Sequence, residues 1–430
     1  MSIMWGLLGP GTISSQRRTR SLGLGASVRL FNDIAVPGTG GLWFAKPLLL
    51  ALLGIRVAET LRDEGKSLSN TKVANAMEAL ACWLAFTNNG WQSDDRLRGI
   101  NTLPRDIQAL TFKNAAQRSF YVTQPLRLST VQALPALGLV SQENSRFNSY
   151  SCKNSSPFDP TKSLGEAFIE AATAGLRPYN APSVLEFLTQ WARGDRNATS
   201  TKTLTDALSL LTPLPDEACR LLRERLIQGD GSERRRNILA LAKEIRQGKH
   251  YPTWNERPAC VDKKHWSDLH AGALFFALQA AAKTALEAME RHIAGLKKPC
   301  LSLDGNFPEE VKNALNSLRE KASACQKFGA YDDETMAEAR AFIEECLQEN
   351  DSALCESLVK RDDRVLCLNG NAIRPGPAFD SALPDPGDEN ENEEDDSFPP
   401  NISFRVKNLY RLHLDLQPKL DQYLKPEEEE

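Results

Sequence analysis

The run from Leu42 to Ile55 constrains this chain more than any other stretch. It is apolar on every side of a helix, is interrupted only by Lys46 and Pro47, and stops at Arg56. A helix that is apolar all round must be buried in a core or an interface. This run is also shorter than the ~20 residues that cross a bilayer. The rest of the chain must therefore wrap a helix spanning Lys46 to Arg62. The next segment is suited to that. Val73, Met77, Leu80, Ala81 and Leu84 recur three and four apart over 71–86, with Ser69 or Asn70 available as cap. Asn88-Asn89-Gly90 then tolerates the left-handed turn at a helix end. These two helices are expected to form a first helical core.

Helical periodicity continues downstream. A short helix is expected over 111–119, followed by extended backbone at Phe120-Tyr121-Val122 ahead of Pro125. Val184, Leu185, Leu188 and Trp191 share one face; Leu204, Leu208 and Leu211 share another, closed by Pro213 and Pro215. Helices over 217–227 and 233–245, joined by the glycine turn 228–232, should be antiparallel neighbours. The longest helix is expected over about 267–295, then a pair over 308–326 and 332–347, with Asp332 and Asp333 at the positive end of the second dipole. Asn369-Gly370 between apolar residues predicts a hairpin over 366–373. Residues 384–400 are dominated by Asp, Glu, Asn and Pro and read as a disordered or solvated acidic loop. Order resumes over 402–416. No period of 20–50 residues recurs, so a solenoid has no support. The fold class is mainly α, a multi-part helical protein with a minor C-terminal β element.

A chain of 430 residues exceeds one compact core and should divide into two or three units. The expected division is a glycine-rich arm and helical region over 1–110, a small module over 111–175, a helical region over 176–365, a hairpin over 366–383, the acidic loop, and a terminal segment over 401–430. The net charge of −4 gives no global attraction to nucleic acid, so any such binding needs a local basic patch. Nine scattered cysteines, odd in number and without a C-x-x-C pair, read as free thiols of a reducing compartment. With no charged segment followed by an apolar one at Met1–Gly6, no signal peptide is expected. The expected location is cytoplasmic, without a membrane.

The small module carries the most specific pattern. Ser129 can cap a helix whose Val131, Leu134 and Leu137 point inward, Gly138 ends it, and Leu139-Val140 begins a strand answered by Phe147 and Tyr150. Gly165-Glu166-Ala167-Phe168 opens another helix. Residues 111–172 thus resemble the C-terminal half of the winged helix-turn-helix superfamily. The resemblance implies a winged-helix-like module that docks DNA in the major groove or docks protein. On that reading Arg127, Ser129, Thr130, Gln132 and Arg146 would face nucleic acid. Two features depart from a DNA reader. Pro135 lies inside the reading helix, at a cost of ~3 kcal/mol. Arg127, Arg146, Lys153 and Lys162 are balanced by Glu143, Asp159, Glu166 and Glu170, whereas phosphate binding wants a basic excess.

Arg17, Arg18 and Arg20, set among glycines with no acid nearby, are a second nucleic-acid candidate. Arg220, Arg223, Arg225 and Arg234-Arg235-Arg236 interleave with Glu217, Glu224, Glu233 and Glu244 and read as a solvated helix face with i,i+4 pairs. His265 and His270 are five apart, which misplaces two imidazoles for one zinc, so no metal is assigned. Gly38-Thr39-Gly40-Gly41 precedes Lys46-Pro47 but completes no phosphate loop. No G-x-S-x-G elbow is present. Asp304, Asp362 and Asp363 read as turn caps. No catalytic residue and no cofactor is assigned. The function expected is a non-catalytic interaction subunit of a multi-protein assembly, docking other protein subunits, with DNA or RNA as a further partner. The alternatives are a winged-helix DNA-binding protein, either a regulator or a component of a prokaryotic antiviral defence system, and a metal-dependent nuclease with a site assembled from distant residues.

Overall fold

A computed structural model describes residues 20, 22–153, 163–362, 364–379 and 397–424. It is 55% helix and 5% strand, a mainly α protein with minor β elements. In chain order, α1 (Gly25–Ala35) precedes α2 (Lys46–Asp63) and α3 (Asn70–Asn88). Strand β1 (Ala109–Leu110) leads to three single turns, α4 (Phe112–Ala115), α5 (Arg127–Thr130) and α6 (Ala133–Ala136). Strands β2 (Ser141–Gln142) and β3 (Tyr150–Ser151) follow, then α7 (Leu164–Ala172), α8 (Val184–Arg193), β4 (Ala198–Thr199), α9 (Lys202–Leu208), α10 (Asp216–Leu226) and α11 (Ser232–Ile245). Next come α12 (Lys263–Ala294), β5 (Leu301–Ser302), α13 (Glu309–Phe328), α14 (Ala337–Cys346), α15 (Asp351–Asp362), β6 (Leu366–Leu368) and β7 (Ala372–Pro375). Helices α16 (Phe404–Asp415) and α17 (Leu420–Leu424) close the described chain.

The chain divides into two compact units, each assembled from separate stretches. The first comprises residues 1–34, 249–258 and 262–403; the second comprises 35–248, 259–261 and 404–430. This differs from the contiguous blocks expected from sequence. Periodicity tells which face of a helix is buried, not which distant segment covers it.

The second unit is built on α2 and α3. Every residue from Lys46 to Ile55 is buried, as the all-round apolarity of that stretch requires. The two helices meet at Gly54, where an added Cβ would lie 2.5 Å from the Ala74 Cα. Of the two possible caps of α3, Ser69 takes the role: its Oγ accepts from the Lys72 N–H at 3.2 Å. The Asn70 side chain turns inward and donates from Nδ2 to the carbonyls of Phe147 (3.1 Å) and Tyr150 (2.8 Å). Helix α8 is capped by Ser183 and ends at Gly194 in the left-handed region, φ 91°. Its Trp191 is fully buried and donates from Nε1 to Leu110 O at 2.9 Å. Leu110 belongs to β1, which pairs antiparallel with β4. Of Phe120-Tyr121-Val122, expected to be extended, Phe120 lies in a turn and Tyr121 in a bend, and the Tyr121 hydroxyl donates to Glu78 Oε1 at 2.9 Å and lies 3.2 Å from Cys82 Sγ.

The first unit packs α12, α13, α14 and α15 around Phe275, Leu286, Met289, Leu315, Leu318, Phe342 and Leu358, with Leu22, Leu24 and Phe31 joining from the N-terminal stretch. Helix α12 is long and apolar enough to cross a bilayer, yet 56% of its most apolar window is buried in the fold, so it serves here as the core helix. Helix α15 lies outside the helices expected from sequence; its buried Leu354, Cys355, Leu358 and Val359 form a short stripe between charged residues. The expected hairpin is present as β6–β7, with Leu368 opposite Ile373, and β5 adds a third antiparallel strand on β7. Asp362 does serve its turn, accepting from the Leu366 N–H at 3.0 Å. Asp363 and residues 384–396 of the acidic loop lie outside the described residues.

Candidate functional site

The structure scatters the nucleic-acid candidates. Arg17 and Arg18 lie outside the described residues. Arg20 belongs to the first unit and is held among carboxylates. Its Nη2 is 2.6 Å from Glu290, its Nη1 3.8 Å from Glu287 and its Nε 3.6 Å from Asp362, and its side chain is 8% exposed. A guanidinium so paired is not available to a phosphate backbone, which corrects the expectation of an arm without acids. The acids come from α12 and α15, the nearest bonded one 270 positions away, beyond any local window.

The other five candidates lie in the second unit. Arg127 is buried, with Nε donating to Asn75 Oδ1 at 2.8 Å and its guanidinium 4.8 Å from the Phe147 ring centroid. Thr130 is fully buried and donates to Arg127 O at 2.8 Å. Ser129 Oγ donates to Leu126 O at 2.7 Å. Gln132 Oε1 accepts from Arg405 Nη2 at 2.9 Å, and Arg146 is exposed. In place of one reading helix over 129–138 there are two single turns, α5 and α6, with Pro135 in the second and Gly138, φ 70°, ending it. An antiparallel β2–β3 ribbon follows. The turn α5 is fixed by Glu78 of α3, whose carboxylate accepts from the Leu126 N–H (2.7 Å), the Arg127 N–H (2.9 Å) and the Tyr121 hydroxyl (2.9 Å). Burial pushes the Glu78 carboxyl up from its usual range, and these hydrogen bonds oppose that.

The arginine cluster of α10 and α11 is also not one solvated face. Arg220 fits the expectation, pairing with Glu217 at 2.6 Å and with Glu224. Arg235 does not, because it is fully buried. Its guanidinium donates to four main-chain carbonyls: Leu226 (2.7 Å), Gln228 (2.7 Å), Asp230 (3.0 Å) and Pro37 (3.1 Å). The sequence gives no sign of this, since its neighbours Arg234 and Arg236 look the same. Of the two histidines weighed as ligands, His265 is buried, and His270 stacks on Trp254 at 4.8 Å and meets Phe328 edge-on. Among the described residues no three His, Cys, Asp or Glu side chains gather to hold a metal ion.

A polar recess lies at the start of α2. Lys46, Arg96, Thr212, Asp415 and Asp421, with Leu210 and Leu420 among the apolar walls, line a cavity of about 40 Å³. Asp415 Oδ2 accepts from the Ala45 N–H at 2.8 Å, which places a carboxylate at the N-terminal end of α2. Arg96 is gripped by Asp94 at 2.9 Å through Nε and again through Nη2, and its Nη1 reaches Asp421 at 2.7 Å. Burial pushes the Lys46 ammonium down to about 8, against the attraction of Asp415 and Asp206, and pushes the Asp415 carboxyl up. No family model matches the chain, and no curated protein or solved structure is similar to it. The recess must therefore be read from its own chemistry. The cavity has room for about three water-sized groups, which suits one small molecule or group and is too little for a nucleotide.

Also on α16, His413 is half-buried and lies near several cations. Burial, then Arg246, Arg223 and Lys243, push its imidazole down to about 4. Arg223 donates to Leu416 O at 2.9 Å, beside the C-terminal end of α16, where cations suit the dipole. A depressed histidine stays neutral in the fold while the unfolded chain takes up a proton below about 6.5, so stability falls as pH falls from 6.5 toward 4. The parent chain should therefore lose more melting temperature over that window than His413→Gln. Parallel losses in the two proteins would refute this placement of His413.

Proposed function

We propose that this chain is a non-catalytic interaction protein, a subunit that docks other proteins through charge. The observation that supports it is the division of charge between the units. Among the described residues the second unit carries 29 Lys and Arg against 21 Asp and Glu, while the first carries 19 against 20. A net charge of −4 for the whole chain conceals this, and a local excess of one sign steers partners of the opposite sign. The strongest buried polar groups, Glu78, Arg235 and Arg20, are tied into hydrogen bonds and ion pairs that hold the fold. On the α5–β3 segment Leu128 is 52% exposed, with Gln132 and Arg146 also on the surface, a mixture suited to a protein partner. The partner of the second unit is an acidic protein surface. The winged-helix DNA-binding alternative is favoured by one feature, the β2–β3 ribbon that follows α6.

One experiment separates them. The full chain is titrated with polyglutamate and with a short DNA duplex of equal charge, at 50 and 200 mM salt. Comparable binding of both, weakening with salt, supports charge docking. Binding of the duplex alone, with a loss of about 10³-fold or more between the two salt concentrations, supports the DNA reader and overturns the proposal. Binding of neither also overturns it.

A further inference from the structure

Lys46 is 3% exposed, and its ammonium has one hydrogen bond, to Asp206 O at 3.5 Å. That is a long bond for a group with three donors and almost no water. Lys46 opens α2, where the positive end of the helix dipole disfavours a cation and favours an anion. The cavity it lines has room for a group of about three heavy atoms. Arg96, on the same wall, has five N–H donors and uses three of them on Asp94 and Asp421. A buried amine with one long hydrogen bond and a space of this size suit a small, uncharged electrophile.

We propose that Lys46 is a carbamylation site that takes up carbon dioxide. The Nζ lone pair of the neutral amine attacks the carbon of CO2. A C–N bond forms, one C–O π pair moves onto oxygen, and the nitrogen releases a proton to the Asp415 carboxylate or to water. The product is a carbamate anion on Nζ, in a cavity that Arg96 also lines with two N–H donors not used on Asp94 or Asp421. No oxidant, reductant or metal is required. An amine held near 8 is about half neutral at pH 8, whereas a surface lysine near 10.4 is free base at well under 1%. Lys46 should therefore hold about a hundredfold more free base than a surface lysine at that pH.

The test uses the full chain in ¹³C-bicarbonate buffer at pH 8. Carbon NMR should show a protein-bound carbamate resonance that is absent from Lys46→Arg and distinct from that of a free α-amine, whose pKa is about 7.7–8.0. In parallel, the parent chain is trapped with triethyloxonium and mapped by peptide mass. The ethyl carbamate is expected on the peptide holding Lys46, in large excess over every other lysine. The trap needs no variant, so a failure of Lys46→Arg to fold does not weaken it. Absence of the resonance, its persistence in a folded Lys46→Arg, or a trap spread evenly over lysines would each overturn the proposal.

Discussion

Arg235→Met should cost the second unit about 3 kcal/mol or more, because it strips the donor from four main-chain carbonyls in a buried site. Arg235 has no carboxylate partner in its cage. Its charge is balanced by four carbonyl oxygens, one of them Leu226 O at the C-terminal end of α10, where the helix dipole is negative. Burial, then Arg225 and Arg236, lower its pKa from the usual arginine value, yet a guanidinium remains charged. Methionine fills part of the volume and leaves those acceptors without a donor, at about 1–3 kcal/mol for each that water cannot reach. Arg235→Lys should recover only part of the loss, because a single ammonium cannot span carbonyls placed around a planar fork. Denaturant melts would measure both variants, and amide exchange should show the 227–232 turn opening first. Losses below about 0.5 kcal/mol, the level of an ordinary surface substitution, would mean that the guanidinium is not the centre of that turn.

That prediction marks the boundary of what local sequence carries. The burial of α2, the caps at Ser69 and Ser183, the end of α8 at Gly194 and the β6–β7 hairpin all depend on residues within a few positions of one another. Each was legible for that reason. Arg235 was not, because three adjacent arginines differ only in where their tips end, and the tip of the middle one ends beneath a turn. Arg20 was misread for the same reason in reverse: its neighbours in sequence carry no acid, while its neighbours in space are Glu290 and Asp362. The recess at Lys46 was visible only as an interruption of an apolar run. Asp415 reaches it from the far end of the chain and Arg96 from a loop, and no spacing rule links the three. The division into two units, each assembled from separate stretches of sequence, was hidden as well, since a helix pattern names no partner.

Gly54→Ala should be the second severe change, against the ordinary expectation for a helix. Alanine in place of glycine inside a helix gains about 1 kcal/mol from backbone entropy alone. Here the added Cβ would lie 2.5 Å from Ala74 Cα, 2.7 Å from its Cβ and 2.8 Å from its nitrogen. Two of those three atoms are backbone of α3 and cannot rotate away, so α2 and α3 must separate. Overpacking of this kind costs about 1–3 kcal/mol and occasionally more; with rigid backbone on both sides the upper end is expected, net of the entropy gain. At about 2–4 °C per kcal/mol for a unit of this size, the melting temperature should fall by about 6–12 °C. Gly272→Ala in α12 supplies the contrast. Its nearest neighbour would be Phe31 Cβ at 3.4 Å, an ordinary contact that needs no movement. That variant should melt at or above the parent, by up to about 1 kcal/mol. Equal melting of Gly54→Ala and the parent would mean that α2 and α3 do not approach backbone to backbone. The all-round burial of Lys46–Ile55 would then need another explanation, because α3 is what covers that face of the helix.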